Sequence, residues 1–420
     1  LSSEEKNKLH RPIYLSLEPM LKEIFLEQRR TPGTLKNAFS QNRKWGGRDR
    51  KIAAEIIYEC VRWWRRLHFA NFGEWSDAYL HSKTAQQHLP DDYIETNLHL
   101  QLCRMDLGIT DLFDVSSYKA AQHRFEKAED FSPATIESTS DMFFKMGEAE
   151  LGEVWQPTLR ALNQPAPVFL RINTLKADSV ESVQKALESE GIETSLVQGV
   201  PSALVLQRRQ NVFATEAYKS GLFEMQDAAS QHVAPFLGVK AGDRVIDACA
   251  GAGGKTLHLS ALMQNKGTLI ALDITDWKLE ELKKRASRAG CDNVETRKID
   301  STKTIKRLHD SADAVLLDVP CTGSGTIRRY ADAKWKIDEE ELQQLHHAQR
   351  EILEQYAKMV KPGGHLVYAT CSVFPSENQK QIQWALEGPL KGWELKDEFV
   401  NLPQDTNFDG FYAAKLIRPS

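Results

Sequence analysis

VIDACAGAGGKT, residues 245–256, is the stretch on which the fold turns. A short apolar run ends in an aspartate, breaks into glycines at 251, 253 and 254, and reopens as a helix. Glycine lets a backbone turn sharply and approach a ligand closely. Around this stretch apolar runs alternate with helical periods. Strands are expected at 244–249, 268–274, 294–299, 313–319 and 365–370, and helices at 254–263, 276–289, 302–309, 338–359 and 376–387. That order predicts an α/β domain: a mostly parallel sheet covered on both faces, with ligands at the carboxyl ends of its strands. The turn is not a phosphate grip. GxxxxGK[ST] needs glycine where Cys249 stands, and GxGxxG needs one where Thr256 stands. ATPase and dinucleotide sites are therefore set aside.

Three acidic residues close successive strands. Asp273 ends ALDI (271–274), where a carboxylate can accept hydrogen bonds from ribose hydroxyls; Asp300 ends the next strand, on the base side of a nucleoside; Asp318 ends the one after. Carboxylates with no phosphate grip suit a ligand carrying ribose, adenine and positive charge. S-adenosylmethionine has that chemistry and is the cofactor expected.

Two cysteines follow strands: Cys321 in DAVLLDVPCTGSG (313–325) and Cys371 in GGHLVYATCS (363–372). A thiolate adding to C6 of a pyrimidine makes C5 nucleophilic enough to take a methyl group, and a base must then remove the C5 proton. Asp318, three positions before Cys321, is placed to hydrogen-bond the ring as the adduct forms. Spacing alone leaves open which cysteine attacks. Cys249 and Cys291 read as packing residues on their own settings, and Cys60 and Cys103 as core or helix-face residues. Arg328, Arg329, Lys334 and Lys336, in the loop 322–336, are expected to reach phosphates.

The rest of the chain carries less chemistry. PIYLSLEPMLKEIFLEQRR (12–30) and RDRKIAAEIIYECVRWWRR (48–66) have apolar residues at helical spacing, and further helical pieces fill 74–150. A strand within 168–178, a helix at 181–191 and a strand at 202–209 make a small α+β unit. The 420 residues predict two or three domains, and 41% hydrophobic with 27% charged residues describes a soluble globular chain. No run nears the twenty or so apolar residues of a membrane span, and LSSEEKNKLHRP at the start lacks a signal peptide's apolar core. Six cysteines without CxxC argue against a zinc site or disulfide framework, so no metal and a cytoplasmic setting are expected. Net charge is −4, but residues 1–70 carry +7 and the remainder −11, which can place a phosphate-binding surface on the basic end.

Taken in order, RINTLK (171–176), MQDAASQ (225–231), DACAGAGGKT (247–256), ALDI (271–274), DVPCTGSGTIRR (318–329), KW (334–335), VKPGG (360–364), YATCS (368–372), PSENQ (375–379) and DGFYAAKL (409–416) resemble the RNA cytosine-5 methyltransferases, the family of the bacterial small-subunit ribosomal RNA enzyme and its nucleolar relatives. The resemblance is close over 140–420 and looser in 48–66. It implies a Rossmann-like S-adenosylmethionine-dependent methyltransferase domain at 226–420, a small α+β RNA-binding extension at 136–225 and a helical, RNA-binding N-terminal domain at 1–135. It implies that Cys371 is the nucleophile, that Cys321 assists breakdown of the adduct, and that Asp318 faces the cytosine. It also implies that Cys249, Ala250, Gly251, Ala252, Gly253, Gly254, Lys255, Asp273, Asp300 and Asp318 contact the cofactor. The commonest form of the glycine motif has Ala-Pro where this chain has Gly251-Ala252. Structured RNA, ribosomal before transfer RNA, is the partner expected, with no membrane and a monomeric protein. An amine N-methyltransferase would need no cysteine and would carry a Pro-Pro-aromatic motif where 318–321 reads Asp-Val-Pro-Cys. A non-catalytic RNA-binding assembly factor on the same fold is the third reading.

Overall fold

The computed structural model describes residues 9–81, 86, 88–105, 107, 109, 111–128 and 130–420. They form two compact units: residues up to 163 together with 327–338, and residues 164–326 together with 339–420.

The first unit is helical. Helix α1 (Arg11–Phe25) carries a proline, Pro12, in its first turn and buries Ile13, Leu17, Met20, Leu21, Ile24 and Phe25 as one stripe. It stops short of the expected Arg30, and Gln28 takes a positive φ of 56° just beyond its end. Helix α2 (Gly47–Phe72) instead outruns its expected end at 66, bends at Trp63, and stops at Gly73 in the left-handed conformation. Phe25 and Trp64 stack with ring centroids 4.0 Å apart in the core.

The segment 327–338 packs into this unit, and it corrects one expectation. Lys334 and Arg328 are 1% and 2% exposed. The Lys334 Nζ donates to the carbonyl of Arg62 at 2.7 Å and to Asn163 Oδ1 at 3.0 Å. Burial, reinforced by the Arg62 charge, pushes its pKa well down. Lys336 Nζ donates to the Arg29 carbonyl. Lys334 and Arg328 are structural here and offer no charge to a phosphate. The sequence shows only that they are basic; their burial comes from Trp335 and Ala331, which join the helical core.

The second unit holds two sheets. The smaller runs β1 (Phe169–Ile172), β2 (Thr194–Leu196), β3 (Ala203–Leu206) and β4 (Phe223–Met225), in spatial order β2-β3-β1-β4, with helix α3 (Val180–Ser189) between β1 and β2. Every pair in it is antiparallel. The larger sheet has strands β5 (Arg244–Asp247), β6 (Thr268–Asp273), β7 (Val294–Lys298), β8 (Ala312–Asp318), β9 (Val360–Thr370), β10 (Glu394–Asn401) and β11 (Phe411–Ile417), in order β10-β11-β9-β8-β5-β6-β7. β5 to β9 are mutually parallel, and β10 and β11 run antiparallel at one side. Helices α4 (Gly254–Leu262), α5 (Asp276–Ala289), α6 (Glu339–Tyr356) and α7 (Gln379–Glu387) connect these strands. β6 and β8 are buried almost throughout, as a strand covered on both faces must be.

The strand order reverses at β5. The chain moves outward through β6 and β7, then returns to place β8 on the other side of β5. A crevice opens at such a switch point, beyond the carboxyl ends of the strands. Among the described residues, no helix is long and apolar enough to cross a membrane, and no group of three or more His, Cys, Asp or Glu is arranged to hold a metal ion.

Candidate functional site

The glycine turn leaves β5 at the switch point. Asp247, the last residue of β5, accepts a hydrogen bond from Thr256 Oγ1 at 2.7 Å, tying strand to helix α4. Gly253 caps α4 at φ 90°, and a Cβ there would meet Leu282 Cγ at 2.6 Å, so only glycine fits. Gly251 and Gly254 face open space. Asp273, at the end of β6, accepts from the Gly251 N–H at 2.9 Å and from the Thr275 N–H at 2.8 Å. One lone pair on each oxygen remains for a ligand. Asp318, at the end of β8, accepts from Lys255 Nζ at 2.7 Å. That ion pair spans the crevice, and Lys255 Nζ also lies 5.0 Å from the Phe411 ring centroid. Burial opposes the Lys255 charge, but Asp318 above all, with Cys371 and Asp247, raises its pKa above the ordinary lysine value. Burial, with Asp247, Asp318 and Asp273 adding, holds the Cys249 thiol protonated. The cleft is thus a field of carboxylates.

Asp300 does not join this cluster. It is exposed two residues beyond β7, and its Oδ1 accepts from Thr304 Oγ1 at 2.9 Å and Ser301 Oγ at 3.3 Å. Those bonds hold its pKa below the usual carboxylate value.

Cys321 and Cys371 meet. Their sulfurs are 3.4 Å apart at the ends of the neighbouring parallel strands β8 and β9. The loop after Cys321 is stitched to the loop after Cys371. Gly325 N–H donates to the Cys371 carbonyl at 2.9 Å, Ser324 and Ser372 hydroxyls are 2.9 Å apart, and Val373 N–H donates to Ser324 Oγ at 3.0 Å. Glu377, fully buried, accepts from the Thr322 N–H at 2.9 Å, from Thr322 Oγ1 at 2.5 Å and from Gln349 Nε2 at 3.0 Å. Gln349, on α6, also donates to the Pro320 carbonyl at 3.0 Å. The hydrogen bond to Cys371, then burial, then the charges of Cys371 and Glu377 push the Cys321 pKa well up. Cys321 is therefore held toward its thiol form.

Gly325 also bears on β11. A Cβ there would sit 2.2 Å from the Gly410 carbonyl oxygen and 2.7 Å from its Cα, backbone atoms that cannot swing aside. Alanine at 325 is expected to cost about 1–3 kcal/mol and to lower turnover by shifting the Cys321 loop. Thermal denaturation beside a turnover assay measures both.

Asp247, Thr256, Glu377 and Gln349 were not singled out from sequence. Asp247 belongs to the quoted stretch, yet nothing in its spacing tells a buried carboxylate from a solvated one. Burial pushes its pKa up to about 7, with Asp318 adding to the effect. Between its unfolded value near 4 and about 7, the folded chain binds the proton that the unfolded chain has lost, so stability falls as pH rises through that window. Asp247→Asn removes this term. Relative to wild type, the variant should gain on the order of 2–4 kcal/mol between about pH 4 and pH 8, read from urea midpoints. Parallel pH profiles for the two proteins would contradict it. Ile274 and Trp277, 69% and 68% exposed just after Asp273, were also missed. Apolar side chains this open, beside a cleft, are the signal that could have found them.

Residues 234–417 match the family described as 16S rRNA methyltransferase RsmB/F, and residues 142–213 match the ferredoxin-like domain described for the same proteins. The ribosomal RNA small subunit methyltransferase B of Yersinia enterocolitica is 33% identical over 271 residues, which is 63% of this chain and 62% of that protein. The chain thus spans under two thirds of this curated relative's length. Among solved structures, the crystal structure of PH0851 superposes over 97% of this chain and 99% of its own, with TM-score 0.74 and 25% identity. A methyltransferase homolog from Pyrococcus horikoshii is 31% identical, covering 68% of this chain and 97% of its own, with TM-score 0.60. A Rossmann-like α/β core with its glycine turn at the switch point, an antiparallel sheet ahead of it, and both domain models matched in order lead to one assignment: the chain belongs to the RsmB/F methyltransferase family.

Proposed function

We propose that this chain transfers a methyl group from S-adenosylmethionine to C5 of a cytidine in RNA, with small-subunit ribosomal RNA as substrate. The observation that carries it is the 3.4 Å approach of Cys321 and Cys371 beside the glycine turn's strand neighbour, β8. The residues around the turn suit this cofactor. Gly251 and Gly254 leave open space, Asp273 has lone pairs free for a ribose, and Ile274 and Trp277 offer apolar surface for a base. Lys255, the cation at the turn, is already paired with Asp318, which leaves the cleft acidic and unsuited to a pyrophosphate. Cys249 to Lys255, Asp273 and Asp318 would hold the cofactor; Asp300 would do so only by giving up its bonds to Thr304 and Ser301. When bound, S-adenosylmethionine supplies an electrophilic methyl group.

The chain's own residues do the rest. Cys371, as thiolate, adds to C6 of a cytosine flipped from its stack, which loads electron density onto C5. Asp318, fixed by Lys255, accepts a hydrogen bond from the cytosine amino group. After methylation a base takes the C5 proton, the C5–H electron pair becomes the C5–C6 double bond, the C6–sulfur bond breaks, and the Cys371 thiolate leaves. Cys321, once its own proton has passed to solvent, would be that base, and it returns to the thiol form on taking the C5 proton. The helical region 1–135 and the extension 136–225 serve as RNA-binding domains in this reading, and the protein works as a cytoplasmic monomer.

Incubation with small-subunit ribosomal RNA and isotopically labelled S-adenosylmethionine, followed by nucleoside mass spectrometry, should yield labelled 5-methylcytidine. Label on an exocyclic nitrogen would overturn the C5 assignment, and label only with transfer RNA would redirect the substrate.

A further inference from the structure

RINTLK (171–176) takes no part in the chemistry above, yet its side chains are deeply engaged. Arg171, on β1, is 2% exposed. Its Nη1 donates to the Gly254 carbonyl at 2.6 Å and to Gln226 Oε1 at 2.8 Å. Arg285, on α5, donates from Nη1 to the Ala252 carbonyl at 2.6 Å and from Nε and Nη2 to Glu224 Oε2 at 3.2 and 2.9 Å. Glu224, on β4, is itself buried and also pairs with Arg288. Asn173 closes the arrangement, donating to the carbonyls of Gly221 and Ala289, both at 2.8 Å.

Two guanidinium groups thus take the carbonyls on either side of Gly253, while Asp273 takes the N–H of Gly251. The Gly253 N–H donates to the Ala250 carbonyl at 2.9 Å. The peptide planes of a turn that glycine would leave loose are fixed at both ends. Burying a guanidinium is costly unless its donors meet set acceptors. A cation spent on a main-chain carbonyl of a ligand turn buys rigidity there, and preorganisation of that kind is read out as affinity.

We propose that Arg171 and Arg285 are positioning residues for the cofactor turn, through which the small antiparallel sheet sets the affinity for S-adenosylmethionine. This rests on the reading that the turn holds that cofactor. The alternative is that the two arginines only glue the small sheet to α5. Arg288 separates the two, because it shares Glu224 and bonds Tyr218 Oη but makes no bond to the turn.

Calorimetric titration of the full chain with S-adenosylmethionine, without RNA, tests it. Arg171→Met and Arg285→Met should each raise Kd about tenfold or more, and Arg288→Met should stay within about twofold of wild type. Arg171→Lys, which keeps the charge and one donor, should recover part of the loss. In turnover assays KM for the cofactor should rise more than kcat falls. Wild-type affinity in Arg171→Met, or an equal loss in Arg288→Met, would overturn the proposal. Should Arg171→Met fail to fold, Arg285→Met, whose side chain is partly exposed, decides on the same criterion. A wild-type chain that binds no S-adenosylmethionine would instead overturn the cofactor reading, a result distinct from a variant that binds as well as wild type.

Discussion

Cys371→Ala should abolish both methylation and the covalent protein–RNA complex, whereas Cys321→Ala should keep the complex and let it accumulate. The expected asymmetry follows from the environments of the two sulfurs. Cys321 is hydrogen-bonded to Cys371, buried, and faced by Glu377, all of which favour its thiol form. A thiol that keeps its proton is a poor nucleophile, and a raised pKa makes its thiolate, when formed, a stronger base for the C5 proton. Cys371 instead has the cationic Lys255 among the charges near it. Losing the nucleophile removes the covalent route, because the remaining sulfur 3.4 Å away, that of Cys321, is held toward its thiol form. Losing the proton carrier should slow release by about 10²–10⁴-fold, the usual weight of general acid–base assistance. Denaturing gels with labelled RNA distinguish the two: a slow-migrating band in Cys321→Ala and none in Cys371→Ala. The opposite pattern would exchange the roles.

How much of this was legible in sequence varied with the kind of interaction. Four of the five parallel strands were expected to within two residues of their ends, while β9 begins at Val360, five residues before the expected 365; a strand buried on both faces shows as an unbroken apolar run. TLIALD at 268–273 and ADAVLLD at 312–318 are examples. β10 was missed for the opposite reason. ELKDEFVN is an edge strand, largely exposed and mostly polar, and only its pairing with β11 makes it a strand. β2 and β4, three residues each, are too short to show a period. In the site, the residues that end strands were visible, since the turn residues beside them mark the position. Asp300 shows the limit of that logic: Asp273 is the last residue of its strand, but Asp300 lies two residues beyond the end of β7 and turns to Thr304. Lys334 and Glu377 show a second limit. Both are fully buried charged side chains, one in each unit, and burial of a charge is decided by acceptors and donors distant in sequence.

Glu377 gives the sharpest remaining test, because its shape and its charge can be separated. Glu377→Ala strands the Thr322 N–H and one of the two Gln349 amide hydrogens, the other still reaching the Pro320 carbonyl. Each orphaned donor costs about 1–3 kcal/mol, so a loss of several kcal/mol and a loosened Cys321 loop are expected. Glu377→Gln is nearly isosteric. Its carbonyl can still accept from both donors, and the Thr322 hydroxyl, 2.5 Å from the lost oxygen, can turn to accept from the new amide or donate toward Ser372 Oγ at 3.5 Å. Stability should therefore change far less than in the alanine variant. What disappears is a negative charge that favours the protonated form of Cys321. The Cys321 thiol should then ionise at lower pH than in wild type, though burial and the bond to Cys371 still hold it up. Alkylation of Cys321 by iodoacetamide, followed by peptide mass spectrometry across a pH series, reports this directly. The rate profile should move toward acid in Glu377→Gln. An unmoved profile would mean that Glu377 serves only to clamp Thr322 and Gln349, with no electrostatic part in keeping the second thiol protonated.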